Sequence, residues 1–244
     1  MITSLFVVMV ALVAGSVSGI VGTGSSLLLL PVLVQAYGPL AAVPIMGIAA
    51  IFGNVSRVLL WWRHIDWRAA LAYAIPGVPA AALGARTLLV LPPGVIDLAL
   101  GLFFWTMLLL RRRLRASGRK LGVMQLGLAG GGIGFLTGLV LSTGPLSVPA
   151  FMAYGLTGGA FLGTEAASAL FLYSSKIATF ASQGALPWET TLNGLLAGAG
   201  IMAGTFLSKP LVLNLSAKTF DRLMALLLFL AGLALLSSGF HSLL

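Results

Sequence analysis

Cysteine is absent from this 244-residue chain, histidine occurs twice and acidic side chains number five. Without thiols, neither disulfides nor thiolate chemistry is available. His64 and His241 sit at the ends of apolar segments, so no histidine cluster is in place to hold a metal. The HExxH, phosphate-binding-loop and GxSxG signatures are missing too. An enzyme is therefore not expected, and neither is a cofactor. Charge is scarce as well: 8% of the residues are charged, where a soluble domain carries about 25%.

Hydrophobic residues take the place of charge, at 59% of the chain and a mean hydropathy of +1.08. A bilayer requires about 20 apolar residues per helix. Long apolar segments recur at 4–21, 40–62, 67–91, 95–110, 121–141, 157–181, 190–215 and 220–240. Two shorter apolar pieces, 25–37 and 145–155, each follow a Gly/Ser/Thr break. The expected fold is all-α: a polytopic, multi-pass protein of the cell membrane with about eight long transmembrane helices and two short half helices. The first segment has neither a basic flank nor a cleavage site, so it reads as a retained helix rather than a signal peptide.

A net charge of +9 would suit nucleic acid, but six of the fourteen basic residues crowd into one loop, RRRLRASGRK at 111–120. Basic loops between apolar segments stay on the cytoplasmic side. Loop 111–120 is thus expected to be cytoplasmic, and the expected partner is the lipid bilayer, not nucleic acid. A homo-oligomer is left open.

The second half of the chain echoes the first at an offset near 120. Gly15 and Gly19 pair with Gly134 and Gly138, Pro31 with Pro149, and Tyr37-Gly38 with Tyr154-Gly155. Phe52, Ser56 and Arg57 pair with Phe171, Ser175 and Lys176, then Ile65-Asp66-Trp67 with Leu186-Pro187-Trp188, Gly84 with Gly204 and Asp97 with Asp221. The order is kept throughout. Two transmembrane repeats, 1–110 and 121–244, joined by the basic loop, are the expected organisation. If the short pieces do not cross the bilayer the halves are parallel; if they cross, the halves are inverted. Charge bias favours the second arrangement and segment length the first.

Duplicated helices with paired breaks point to a transporter whose site lies between the repeats. In the first break, Gly22 and Gly24 let the helix unwind, Thr23 adds a hydroxyl and Ser25 or Ser26 caps the helix that follows. Free N–H groups at such a helix start attract an anion. The second break offers the same parts in Ser142, Thr143 and Gly144, with Pro145 at a first helical position. Small residues also let membrane helices pack closely, which competes as an explanation of either break alone.

Charges inside apolar segments are expensive and tend to serve function. Arg57 and Lys176 occupy matching positions near segment ends, where they are candidates to attract an anion or to snorkel to the interface. Glu165, a candidate coupling carboxylate, lies eleven residues before Lys176 and about three helical turns away, too far to pair with it. The repeat gives Glu165 no acidic counterpart, since Met46 stands at the aligned position. Beside the basic pair, Asn54, Ser56, Tyr173 and Ser175 are uncharged donors suited to a small oxyanion. Asp97 and Asp221 begin the last span of each half and complement a helix dipole. Trp61, Trp62, Trp67 and Trp188 are placed as interfacial anchors.

Taken together, the stretch GSVSGIVGTGSSLLLLPVL (15–33), the loop HIDW (64–67) with its echo GALPW (184–188), and the basic loop between duplicated halves resemble the sulfite exporter family, TauE/SafE. The likeness runs nearly the full length. It implies a multi-span carrier that moves small sulfur-containing anions, such as sulfite or organosulfonates, outward. The residues themselves also allow a passive anion channel or a substrate-free membrane scaffold.

Overall fold

The computed structural model describes residues 2–21, 25–92, 120–139 and 144–208, together with the single positions Val95, Leu98, Leu102, Thr106, Phe229 and Leu233. Within these, eight α-helices follow one another and no strand occurs. They are α1 (Ile2–Val21), α2 (Ser25–Tyr37), α3 (Pro39–Trp61), α4 (Trp67–Val90), α5 (Val123–Leu139), α6 (Gly144–Tyr154), α7 (Gly158–Ser182) and α8 (Trp188–Leu207), with a short 3₁₀ turn at Trp62–His64. The two short pieces are thus separate helices; Ser25, Ser26 and Gly144, expected at or before the helix starts, lie in their first turns. Gly22, Thr23, Gly24, Ser142 and Thr143, which form most of the breaks, lie outside the described residues, as do Asp97, Asp221, nearly all of the basic loop and the body of the expected spans at 95–110 and 220–240.

Local signals account for the helix boundaries. Gly38 and Gly155 end α2 and α6 at φ +77° and +110°, conformations that side chains on Cβ disfavour. Pro39 then opens α3 at a position where its missing N–H is not needed. Asp66 caps α4 by accepting from the Ala69 N–H at 3.0 Å, while its own N–H donates to Thr164 Oγ1 of α7 at 2.9 Å.

Helices α3 and α7 form the centre. Every residue of α3 from Ala42 to Ala50 is buried, and so is every residue of α7 from Phe161 to Ser168, so both are surrounded on all sides. Around them, α1 packs on α8 and α5 on α4; α3 also meets α8, and α7 meets α4. Each packing partner in the first four helices has its counterpart in the second four. Close approach of the outer pairs requires glycine. A Cβ on Gly204 would strike the Leu12 carbonyl of α1, and one on Gly84 the Phe135 carbonyl of α5.

The outward faces are apolar. Leu5, Phe6, Met9 and Val13 of α1 and Ile75, Leu83 and Val90 of α4 are exposed, as are Met124 and Leu128 of α5. Among the described residues three helices are long and apolar enough to cross a membrane: Leu40–His64, Trp67–Val90 and Trp188–Leu207. Thr3–Gly19, Leu28–Tyr37 and Val123–Leu139 are shorter apolar helices. The 25-residue α7 is long enough, but its interior carries Glu165 and Lys176. Trp62, Trp67 and Trp188 are exposed at helix ends, whereas Trp61 lies half-buried against Gly159 and Gly163 of α7.

Candidate functional site

A cavity opens where α3 and α7 cross the starts of the two short helices. Ser25 and Ser26 reach it from the first turn of α2, and Gly144 and Ser147 from the first turn of α6. Asn54 and Arg57 face it from α3, Glu165 and Tyr173 from α7, Ser18 from α1, Tyr73 from α4 and Thr137 from α5. Its wall is therefore shared between the two halves of the chain and is rich in hydroxyls.

Arg57 and Glu165 meet in this wall. Arg57 Nη1 donates to Glu165 Oε2 at 2.8 Å, and the two side chains are 7% and 5% exposed. Taking either ion out of water alone costs several kcal/mol, so each requires the other. The second guanidinium nitrogen donates to Asn54 Oδ1, one helical turn earlier on α3. Asn54 is oriented for this because its amide nitrogen donates to the Ala50 carbonyl at 2.8 Å. On the other side of Glu165, Ser147 Oγ donates to Oε1 at 2.9 Å. The Gly144 carbonyl lies farther from that hydroxyl, at 3.3 Å, and the carboxylate is the stronger acceptor.

Lys176 is placed differently. It is fully buried rather than snorkelled to the surface, and its Nζ donates to the Thr137 carbonyl at 2.8 Å. Thr137 lies in the last turn of α5, where carbonyls have no partner within the helix and a cation complements the dipole. The ammonium also stands 5.6 Å from the Phe180 ring centre. Lys176 thus sits behind Thr137, outside the cavity wall. Arg57 is buried as well, so neither basic residue snorkels.

Of the residues picked from sequence, Ser25, Ser26, Asn54, Arg57, Gly144, Glu165 and Tyr173 come together in the cavity. Ser56 and Ser175 do not. Ser56 donates back to the Phe52 carbonyl at 2.7 Å, and Ser175 ties α7 to α4 through the Val78 carbonyl at 2.8 Å. Sequence reasoning passed over Ser18, Tyr73, Thr137 and Ser147. One signal was available for two of these: Ser18 and Thr137 are 137 − 18 = 119 residues apart, the spacing 176 − 57 = 119 of Arg57 and Lys176. Tyr73 and Ser147 follow no such pattern.

From the described residues the wall thus gathers one guanidinium, one carboxylate, one amide and several hydroxyls, all able to form hydrogen bonds. Hydroxyls and a guanidinium of this kind stand beside the first turns of α2 and α6, where donors are concentrated. No group of three or more His, Cys, Asp or Glu side chains occurs among the described residues, so they provide no ligand set for a metal. Comparison with curated proteins and with solved structures finds no match. Family comparison does: from residue 7 to residue 235 the chain matches the sulfite exporter TauE/SafE description, so it belongs to that family and is a membrane transporter.

Proposed function

We propose that the protein is a secondary transporter, working as an exporter, of small sulfur-containing anions such as sulfite or organosulfonates. The anion binds in the central cavity between the two halves. Arg57 supplies the positive charge, and Ser25, Ser26, Asn54, Gly144 and Tyr173 supply neutral donors. Gly22, Thr23, Gly24, Ser142 and Thr143 complete the two helix breaks. Ser56, Ser175 and Lys176 serve this site from outside its wall, holding helices in place. Access alternates as one half rocks against the other, with loop 111–120 on the cytoplasmic side.

The observation that carries this reading is the position of Arg57, a buried cation at a cavity flanked by the first turns of α2 and α6. Pair-for-pair matching of packing partners supports two repeats with the site between them. The test is flux from reconstituted liposomes across a panel of anions. Sulfite or sulfonate flux above that of empty liposomes, saturable and accelerated by substrate on the far side, is expected. Flux no higher than in empty liposomes sinks the reading, and flux without acceleration from the far side makes the protein a channel.

A further inference from the structure

We infer that Glu165 is a tethered stand-in for the transported anion, and that its protonation couples each anion to a proton moving in the same direction. This rests on the transporter reading above. The carboxylate holds two of the cavity's donors at once: Oε2 accepts from Arg57 Nη1 at 2.8 Å and Oε1 from Ser147 Oγ at 2.9 Å. A guanidinium and a hydroxyl at a helix start are what a small oxyanion itself would seek. Glu165 therefore fills the anion's seat with an anion that is part of the chain.

Ionised Glu165 and a bound anion cannot share this place. Two like charges at a few ångströms in a poorly screened interior repel strongly. The conflict is resolved when Glu165 takes a proton from water on the side to which the cavity is open. The neutral carboxyl gives up Arg57 Nη1 and Ser147 Oγ, and the anion accepts both. On the far side the anion leaves, the proton leaves to water, and Glu165 pairs with Arg57 again. The empty carrier thus returns with its buried charges matched.

Among the described residues, Glu165 is the one carboxylate in the cavity wall, and the other ionisable groups there are Arg57 of α3, Tyr73 of α4 and Tyr173 of α7. From α1, α2, α5 and α6 the wall receives Ser18, Ser25, Ser26, Thr137, Gly144, Ser147 and Phe151, none of which titrates in the ordinary range. Arg63, His64 and Asp66, near the turn that packs on α7, lie outside the wall, and Lys176 on α7 itself is directed at Thr137. The device is one-sided, because the position 119 residues before Glu165 is the buried Met46 (165 − 119 = 46).

The experiment follows sulfite uptake and internal pH together in liposomes carrying the full chain. Any proton carried by sulfite itself is common to all proteins compared. With Glu165→Gln, the half-saturating sulfite concentration is expected to fall at least threefold, and the proton movement beyond sulfite's own is expected to vanish. Retained proton movement, or a half-saturating concentration that does not fall, overturns the proposal. Should Glu165→Gln not fold, Glu165→Asp takes its place: it keeps the proton site but shortens the reach to Arg57 and Ser147. There the half-saturating concentration falls with proton movement retained, and a wild-type value overturns the proposal. Absence of flux in the wild type overturns the transporter reading instead, so the two failures are distinguishable.

Discussion

The ammonium of Lys176 donates to the Thr137 carbonyl at 2.8 Å, at the end of the helix that carries Thr137 into the cavity wall. Arg57, 119 residues earlier in the sequence, faces the cavity and pairs with Glu165. The two buried cations thus have unlike partners: Lys176 holds a helix end, and Arg57 is paired with Glu165 and Asn54 in the cavity wall. If so, Lys176→Met, which keeps the stem and removes the charge, leaves the anion site intact but its α5 edge loosely held. Sulfite flux in liposomes should fall at least threefold, and Lys176→Arg should recover more than half of it.

Removing one member of the Arg57–Glu165 pair strands a buried charge. Arg57→Met should destabilise the protein by about 3–5 kcal/mol, whereas Arg57→Met combined with Glu165→Met should recover most of that. Thermal unfolding in detergent measures both. Equal losses in the single and double variants would mean that the pair is not the reason either charge is tolerated.

Glycine at 204 is a steric requirement. An added Cβ meets the Leu12 carbonyl and comes within 2.7 Å of the Ser16 nitrogen, both backbone atoms that cannot rotate away. Gly204→Val should exceed the roughly 1–3 kcal/mol of ordinary overpacking and abolish a monodisperse peak on gel filtration. Gly132, with nothing within 4 Å of an added Cβ, is the control. Gly132→Ala should leave stability unchanged or raise it by up to about 1 kcal/mol.

Asp66 tests the capping of α4. Asp66→Ala removes the acceptor for the Ala69 N–H and should lower stability by about 1 kcal/mol. Asp66→Asn keeps an acceptor at the same place and should change it little. The Asp66 N–H bond to Thr164 survives both changes, since it is made by the backbone. Melting temperatures of the two variants, compared with the wild type, settle this.

Much of the fold was legible because its signals are local. Hydropathy marked the segments, and the expected limits 157–181 and 67–91 differ by at most one residue from the observed α7, Gly158–Ser182, and α4, Trp67–Val90. Both short pieces are helices, as their apolar sequences after Gly/Ser/Thr-rich stretches led one to expect. The residues of the site were harder to sort. Asn54, Ser56, Tyr173 and Ser175 share one polar character in sequence, yet Asn54 and Tyr173 face the cavity while Ser56 and Ser175 donate to helix carbonyls. A hydroxyl within an apolar run looks the same whether it faces a ligand or a neighbouring helix.

By itself the sequence determined membership in a membrane transporter family, the helical character of the described residues and the starts of the two short helices. Composition, apolar run length and the φ demands of glycine and proline act within a few residues of chain. Only the tertiary structure decided that Glu165 answers Arg57 across 108 residues of chain, that Ser147 joins them, and that Lys176 is spent on the end of α5. Partner choice among buried charges depends on which helices pack together. A charge taken out of water must find its opposite or a carbonyl wherever the packing brings one within about 3 Å.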